Sequence, residues 1–173
     1  MTAGPQLGPS ELLAAVGRLA RTRPIADGSL LRCPIPPGAS RRWYEPVFAG
    51  YGLEAWLLWW FCGGEIDLHD HGGASGAIHV LEGSLLETRG SRHGRGLRQR
   101  NLRAGESIAF GSDYVHDVIN IAAEPAVSLH VYGPRLEAMT YYRINDQSGR
   151  LIPDRLERLE PIAAAMPLTG PLP

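Results

Sequence analysis

Between residues 41 and 144 no apolar pattern runs far before glycine, proline or a polar turn interrupts it. The pieces between the breaks are short, and several alternate apolar and polar residues, the pattern of a half-buried strand. Residues 54–62 (EAWLLWWFC) are apolar almost throughout, as for a strand covered on both faces. Gly63-Gly64 ends that run, and further strands are predicted over 65–71, 77–82, 85–89, 115–121, 126–132 and 139–144. Residues 102–110 hold a turn at Ala104-Gly105 and then a short strand, and 44–48 is a further strand candidate. Many short strands joined by tight turns leave few solutions, and all of them are sandwiches or closed barrels. Twenty-one glycines and fourteen prolines among 173 residues suit such a chain.

The ends read differently. Residues 10–21 fit a helix, with Ser10 as cap, Glu11 at its positive end, and Leu12, Leu13, Val16, Leu19 and Ala20 on one stripe. Pro24 stops it, and residues 33–38 (CPIPPG) can only connect. Residues 155–160 read as a short helix or an irregular segment. The expected organisation is one domain: residues 1–40 a helix and connection packed on the barrel, 41–160 the barrel, 161–173 a tail.

Charge excludes some functions. A net charge of −1 gives no global attraction for nucleic acid or an anionic membrane. The arginine-rich stretch 89–100 (RGSRHGRGLRQR) has no interleaved aromatic on which bases could stack. It reads as a solvated hairpin loop, with a basic lid as the alternative. The N-terminus lacks a basic segment followed by an apolar one, and the longest apolar run, 55–62, is too short to span a bilayer. A cytoplasmic protein is expected. Two isolated cysteines make no disulfide framework, and Cys62 is expected to be a buried small hydrophobe. Trp56, Trp59 and Trp60 are expected to pack the core or the outer sheet, with one free to wall a pocket.

The chemistry concentrates in residues 63–83 (GGEIDLHDHGGASGAIHVLEG). On a strand, His69 and His71 share a face and Asp70 turns away. Two neutral imidazoles so placed make half a metal site. His116 can add a third if its strand pairs beside theirs, whereas His79 should face away and His93 lies in the polar loop. Three imidazoles without a carboxylate suit Fe(II) with open positions, or Zn(II) with a water as fourth ligand. Further on, Ser128, His130 and Tyr132 fall on one face of another strand, a hydroxyl–imidazole–phenol row.

The spacings resemble the cupin motif G-x5-H-x-H-x(3,4)-E-x6-G followed by G-x5-P-x-G-x2-H-x3-N. Gly63, His69, His71 and Gly83 match its first half, and Gly105, His116 and Asn120 its second. Gly76 stands in place of the glutamate, and Gly111 and Asp113 replace the proline and glycine. With LHDHGG, HDVIN and SLHVYGP together, the chain resembles the cysteine dioxygenase family of thiol dioxygenases over about residues 41–142. That resemblance implies a small all-β cupin barrel, or jelly roll, with an N-terminal helical segment. It implies Fe(II) on His69, His71 and His116, and addition of both oxygen atoms of O2 to a small thiol such as L-cysteine, giving a sulfinic acid. It makes Ser128, His130 and Tyr132 the catalytic row. In mammalian members a cysteine at the Gly76 position is linked to that tyrosine; glycine here forbids the link.

In cysteine-selective members an arginine two residues after a tyrosine holds the substrate carboxylate. The corresponding run here is Trp43-Tyr44-Glu45-Pro46, and Pro46 carries no donor. Relatives acting on 3-mercaptopropionate carry glutamine there, so neither subtype fits. Tyr44, Arg41 and Arg42 are therefore the substrate-binding candidates, with Arg89 and Arg103 behind them. A different thiol, another metal-dependent cupin reaction, or a non-enzymatic metabolite sensor are the competing readings. The expected partners are a small thiol and O2. Whether the barrel is a monomer or a dimer is open.

Overall fold

The computed structural model describes residues 7–22, 41–94, 96–160 and 162. The expectations for Cys33, Pro24, Arg95, most of the first connection and the tail fall outside them. One helix, α1 (Pro9–Ala20), precedes eleven strands. These are β1 (Arg42–Gly50), β2 (Leu53–Trp60), β3 (Glu65–His69), β4 (Ser75–Glu82), β5 (Ser84–Ser91) and β6 (Arg98–Arg103), then β7 (Ser107–Phe110), β8 (Tyr114–Ile119), β9 (Ala126–Gly133), β10 (Ala138–Ile144) and β11 (Leu151–Arg158). They form a five-stranded sheet, β1-β2-β9-β4-β7, and a six-stranded sheet, β11-β10-β3-β8-β5-β6. Among the described residues every strand pairing is antiparallel.

The apolar run behaves as its composition demands. One face of β2, with Leu57 and Trp59, joins a core that includes Leu12, Val16 and Leu19 of α1. The other face, with Leu58 and Trp60, meets Leu85, Leu102 and Val118 between the sheets. The helix thus caps the outside of one sheet and leaves the space between the sheets to the site. It starts earlier than the serine suggested: Gly8 is the N-cap, Pro9 enters the first turn, and the Glu11 carboxylate accepts the Gly8 N–H at 2.8 Å. Leu13 is exposed, and Ala15 takes its place on the buried stripe.

Three further expectations are corrected. Cys62 is exposed, because β2 ends at Trp60 and the chain has already left the core. Residues 155–158, expected in a short helix or an irregular segment, belong to the strand β11. Pro153 lies near a register shift on the outermost strand, where its missing N–H costs little. The arginine-rich stretch is a hairpin, half of it ladder: β5 runs to Ser91 and β6 starts at Arg98, with 92–97 between them.

Candidate metal centre

His69 ends β3 and is the direct cross-strand partner of His116 on β8. A register shift between Ile66 and His69 bends the strand at that point. His71 lies beyond the strand end, so strand alternation alone does not aim it. The aiming is done by Asp70, which is buried and turned away from the other imidazoles. Its carboxylate accepts N–H bonds from Gly72 (2.9 Å) and Thr140 (3.1 Å) and the Tyr142 hydroxyl (2.7 Å). Its own N–H bonds to the Thr140 carbonyl at 2.9 Å, and Arg92 stands 3.6 Å from the carboxylate. Asp70 therefore staples the His69–His71 corner to β10. Gly72 completes the corner at φ +60°, with its Cα facing the Ala138 carbonyl too closely for a side chain.

The three imidazoles are buried, and one ligating atom from each lies within 4.8 Å of the others. Their ring centroids are 4.8–5.0 Å apart. His69 turns Nδ1 to the Asp67 carbonyl (2.7 Å), and His116 turns Nδ1 to the Glu87 carboxylate (2.7 Å). Both are left with Nε2 for the shared space. Neither ring nitrogen of His71 has a hydrogen-bond partner, although both are buried. A buried imidazole without a partner is costly, and an ion at the common point supplies one. Two other-side acceptors, three convergent nitrogens and one orphaned ring fit a metal ion bound by histidines. Burial first, then repulsion among the rings, pushes His69 and His71 well below the ordinary imidazole pKa. They are neutral over the physiological range, the state in which an imidazole can ligate a cation.

Beside them on β9 stands the predicted row. Ser128 Oγ and His130 Nε2 are 2.9 Å apart, and His130 Nδ1 and the Tyr132 hydroxyl 3.0 Å. Sequence reading missed its anchor: Trp60 Nε1 donates to Ser128 Oγ at 2.9 Å. An indole N–H can only donate. Among the described residues the Ser128 hydroxyl meets Trp60 and His130, so its own proton goes to His130 Nε2. His130 then carries its proton on Nδ1 and donates it to Tyr132. The Tyr132 O–H is left pointing its proton to the cavity. Burial, then the charges of His116 and Arg42, hold His130 down to about 3, so it stays a neutral relay. Burial raises the Tyr132 phenol, which keeps its proton.

The depressed imidazoles have a consequence for stability. Unfolded histidines titrate near 6.5 and take up protons that the buried native rings refuse. The stabilising difference is present above about pH 6.5 and is lost as pH falls toward 3. For His130 alone the slope is ~1.4 kcal/mol per pH unit in that window. Urea midpoints of the metal-free protein should fall steadily from pH 7 to pH 5; equal midpoints would contradict the burial argument.

Arg42, Tyr44, Trp56, Trp60, His130 and Tyr132 share a cavity wall with His69 and His116. The cavity is mostly apolar, with the histidines, Arg42 and Tyr132 as its convergent polar groups. Tyr44 is 55% exposed at its mouth and packs edge-on to Trp56, 5.7 Å between centroids. The Arg42 guanidinium lies 5.7 Å from the Trp60 ring and 5.8 Å from that of Tyr44. Among the described lining residues it is the one guanidinium. Arg41 does not line the cavity; it is exposed and packs against Gly63. Arg89 and Arg103 are likewise absent from the wall, and Pro46 is exposed on β1 opposite Trp56. His79 faces away, as expected, and bonds Ser107 Oγ at 2.6 Å. Asn120 is structural, donating to the Trp60 and Glu124 carbonyls.

Gly76 is the cross-strand partner of both Phe110 and Tyr132. A side chain there would overlap the Phe110 ring and crowd Tyr132 at 3.0 Å. Phe110 stacks on His71 at 4.8 Å and on Tyr114 at 4.7 Å. The aromatic ring has taken the space of any ligand or cross-linking residue at position 76.

Two packed antiparallel sheets, with three histidines gathered in the space between them, define a cupin-like protein with a candidate metal centre. Solved structures agree on the fold. An oxalate oxidase superposes with a TM-score of 0.55 at 20% identity, covering 65% of this chain and 60% of that one. This chain thus spans about 60% of the length of that oxidase. The protein TT1209 from Thermus thermophilus gives a TM-score of 0.52 at 23% identity, over 62% of this chain and 94% of that one. Residues 40–145 match the family model for cysteine dioxygenase type I, and the chain belongs to that family. No helix among the described residues is long and apolar enough to cross a membrane.

Proposed function

We propose that this protein is a non-heme Fe(II) thiol dioxygenase, converting a small thiol RSH and O2 to the sulfinic acid RSO2H. Both oxygen atoms end on sulfur, and at neutral pH the product leaves as sulfinate with release of a proton. The observation that carries this reading is that two members of an all-histidine cluster, His69 and His116, share one cavity wall with the Tyr132 phenol. His69, His71 and His116 would hold the iron, which makes a thiol more acidic and activates dioxygen. Tyr132 then offers its O–H to oxygen developing negative charge in the cavity, held in place by His130, Ser128 and Trp60. Leu58, Trp56 and Trp60 keep water from the reacting atoms.

Arg42 takes the substrate's charged end. It shares a face of β1 with Tyr44 and Pro46, two positions before the tyrosine rather than two after it. The clamp has thus moved along the strand toward the Trp60 end, where Arg42 pairs in register. Cysteine and 3-mercaptopropionate hold thiol and carboxylate the same number of bonds apart and differ only in the amino group, so an arginine at position 42 serves either, and 3-mercaptopropionate is the second reading.

The protein is loaded with Fe(II) without oxygen, then given O2 and cysteine, 3-mercaptopropionate, cysteamine or mercaptosuccinate. Sulfinate forms from at least one carboxylate thiol, with one O2 consumed per sulfinate. Iron-loaded protein that yields none from any of the four refutes the assignment. Arg42→Gln raises KM for the carboxylate thiols about ten- to a hundredfold, the value of a charge-assisted bond, and leaves cysteamine unaffected.

A further inference from the structure

Glu87 takes no part in the chemistry of the cavity, yet it is the most thoroughly buried carboxylate near the site, with no exposed surface. It points inward from β5, between Leu85 and Arg89 on the same face. Its Oε1 accepts His116 Nδ1 at 2.7 Å and the Tyr114 hydroxyl at 2.8 Å. Its Oε2 accepts Arg100 Nε, and Arg100 also donates to the Tyr114 oxygen at 2.8 Å. The carboxylate thus has three protein donors and sits one imidazole away from the space where the histidines converge.

The three rings are consequently unequal. His116 leans on a carboxylate, His69 on a neutral carbonyl, and His71 on nothing. An anionic acceptor on the far nitrogen draws the imidazole proton and makes the near nitrogen a stronger donor to a cation. We propose that Glu87 is a positioning residue for the metal: it supplies, through His116, the negative charge that the ligand set lacks at Gly76. Relocating the charge in this way keeps it near the ion without adding a carboxylate to the ligands. Arg100 and Tyr114 moderate it by sharing the same carboxylate. The proposal rests on reading the three histidines as a metal site, and on no particular substrate.

The test therefore reads metal affinity without thiol or oxygen. Glu87→Gln keeps an acceptor oxygen for His116 and removes the charge, turning its NH2 toward Arg100 in place of the second oxygen. Anaerobic titration with Fe(II), and with Co(II) for its visible spectrum, should show affinity lowered about ten- to a hundredfold and the Co(II) bands shifted. Tyr114→Phe keeps the charge and loses one hydrogen bond, and should bind within about threefold of the parent. Circular dichroism of the metal-free proteins, run first, sets a temperature at which each is folded. Glu87→Gln binding as tightly as the parent overturns the proposal. So does an equal loss in Tyr114→Phe, which would trace the effect to packing. Failure of both variants and parent to bind either ion sinks the metal site itself, whereas good binding without sulfinate formation sinks only the thiol reading.

Discussion

Replacing His71 with leucine should abolish iron retention and lower sulfinate formation by at least about a thousandfold, yet leave the metal-free protein more stable. The two halves of this expectation come from one observation. Both ring nitrogens of His71 are buried and unpartnered, and each such group costs about 1–3 kcal/mol. Leucine is of similar bulk and removes both, so a gain of ~1–3 kcal/mol in the metal-free state is expected. The increment in melting temperature that Fe(II) is expected to give the parent should be absent from this variant. His116→Leu provides the contrast. It also loses the metal, but strips Glu87 of a donor, and should cost the metal-free fold about 1–3 kcal/mol. Opposite signs of stability change with the same loss of metal would mark His71 as placed for binding. A destabilised His71→Leu protein would mean that its ring is a packing element.

Tyr132→Phe carries the second large effect: kcat about a hundredfold lower, KM for the thiol within about threefold, and unchanged iron content. The ring still packs beside His71, 5.1 Å between centroids, so only the proton is removed. Trp60→Phe should act in the same direction but less, since the row loses the donor that sets its polarity and not the phenol itself. Nitrogen NMR of the metal-free protein gives an independent view: His130 should carry its proton on Nδ1 in the parent and populate both tautomers in Trp60→Phe. Iron-loaded Tyr132→Phe turning over at the parental rate would remove Tyr132 from the chemistry.

Much of the fold could be read from turns and alternation, since Gly63, Gly83 and Gly105 all sit at positive φ where the chain reverses. The His69–His71 pair and the β9 row were legible because each lies within a few consecutive residues, whereas His116 was reached through the longer motif. What stayed hidden depended on which strands pair. Glu87 reaches His116 because Glu87 and Val118 are opposite each other on neighbouring strands, a register that no local pattern encodes. Trp60 reaches Ser128 across 68 positions for the same reason. An acid on the same strand face as the apolar Leu85 was a usable sign for Glu87, since an inward carboxylate needs a partner. Cys62 was misplaced because its run looked uniformly apolar, and hydrophobicity does not say at which residue a strand leaves the core.

The imidazoles of His69 and His116 hang from the six-stranded sheet, whereas the Tyr132 phenol hangs from the five-stranded one. Their separation is therefore a gap between two layers, spaced by Leu58, Val80, Leu85 and Val118. A slight shear of one layer over the other would leave the ion seated while carrying the proton donor out of range. Catalytic failure with full metal occupancy is thus the damage to expect from trimming those spacer side chains, well before the barrel melts.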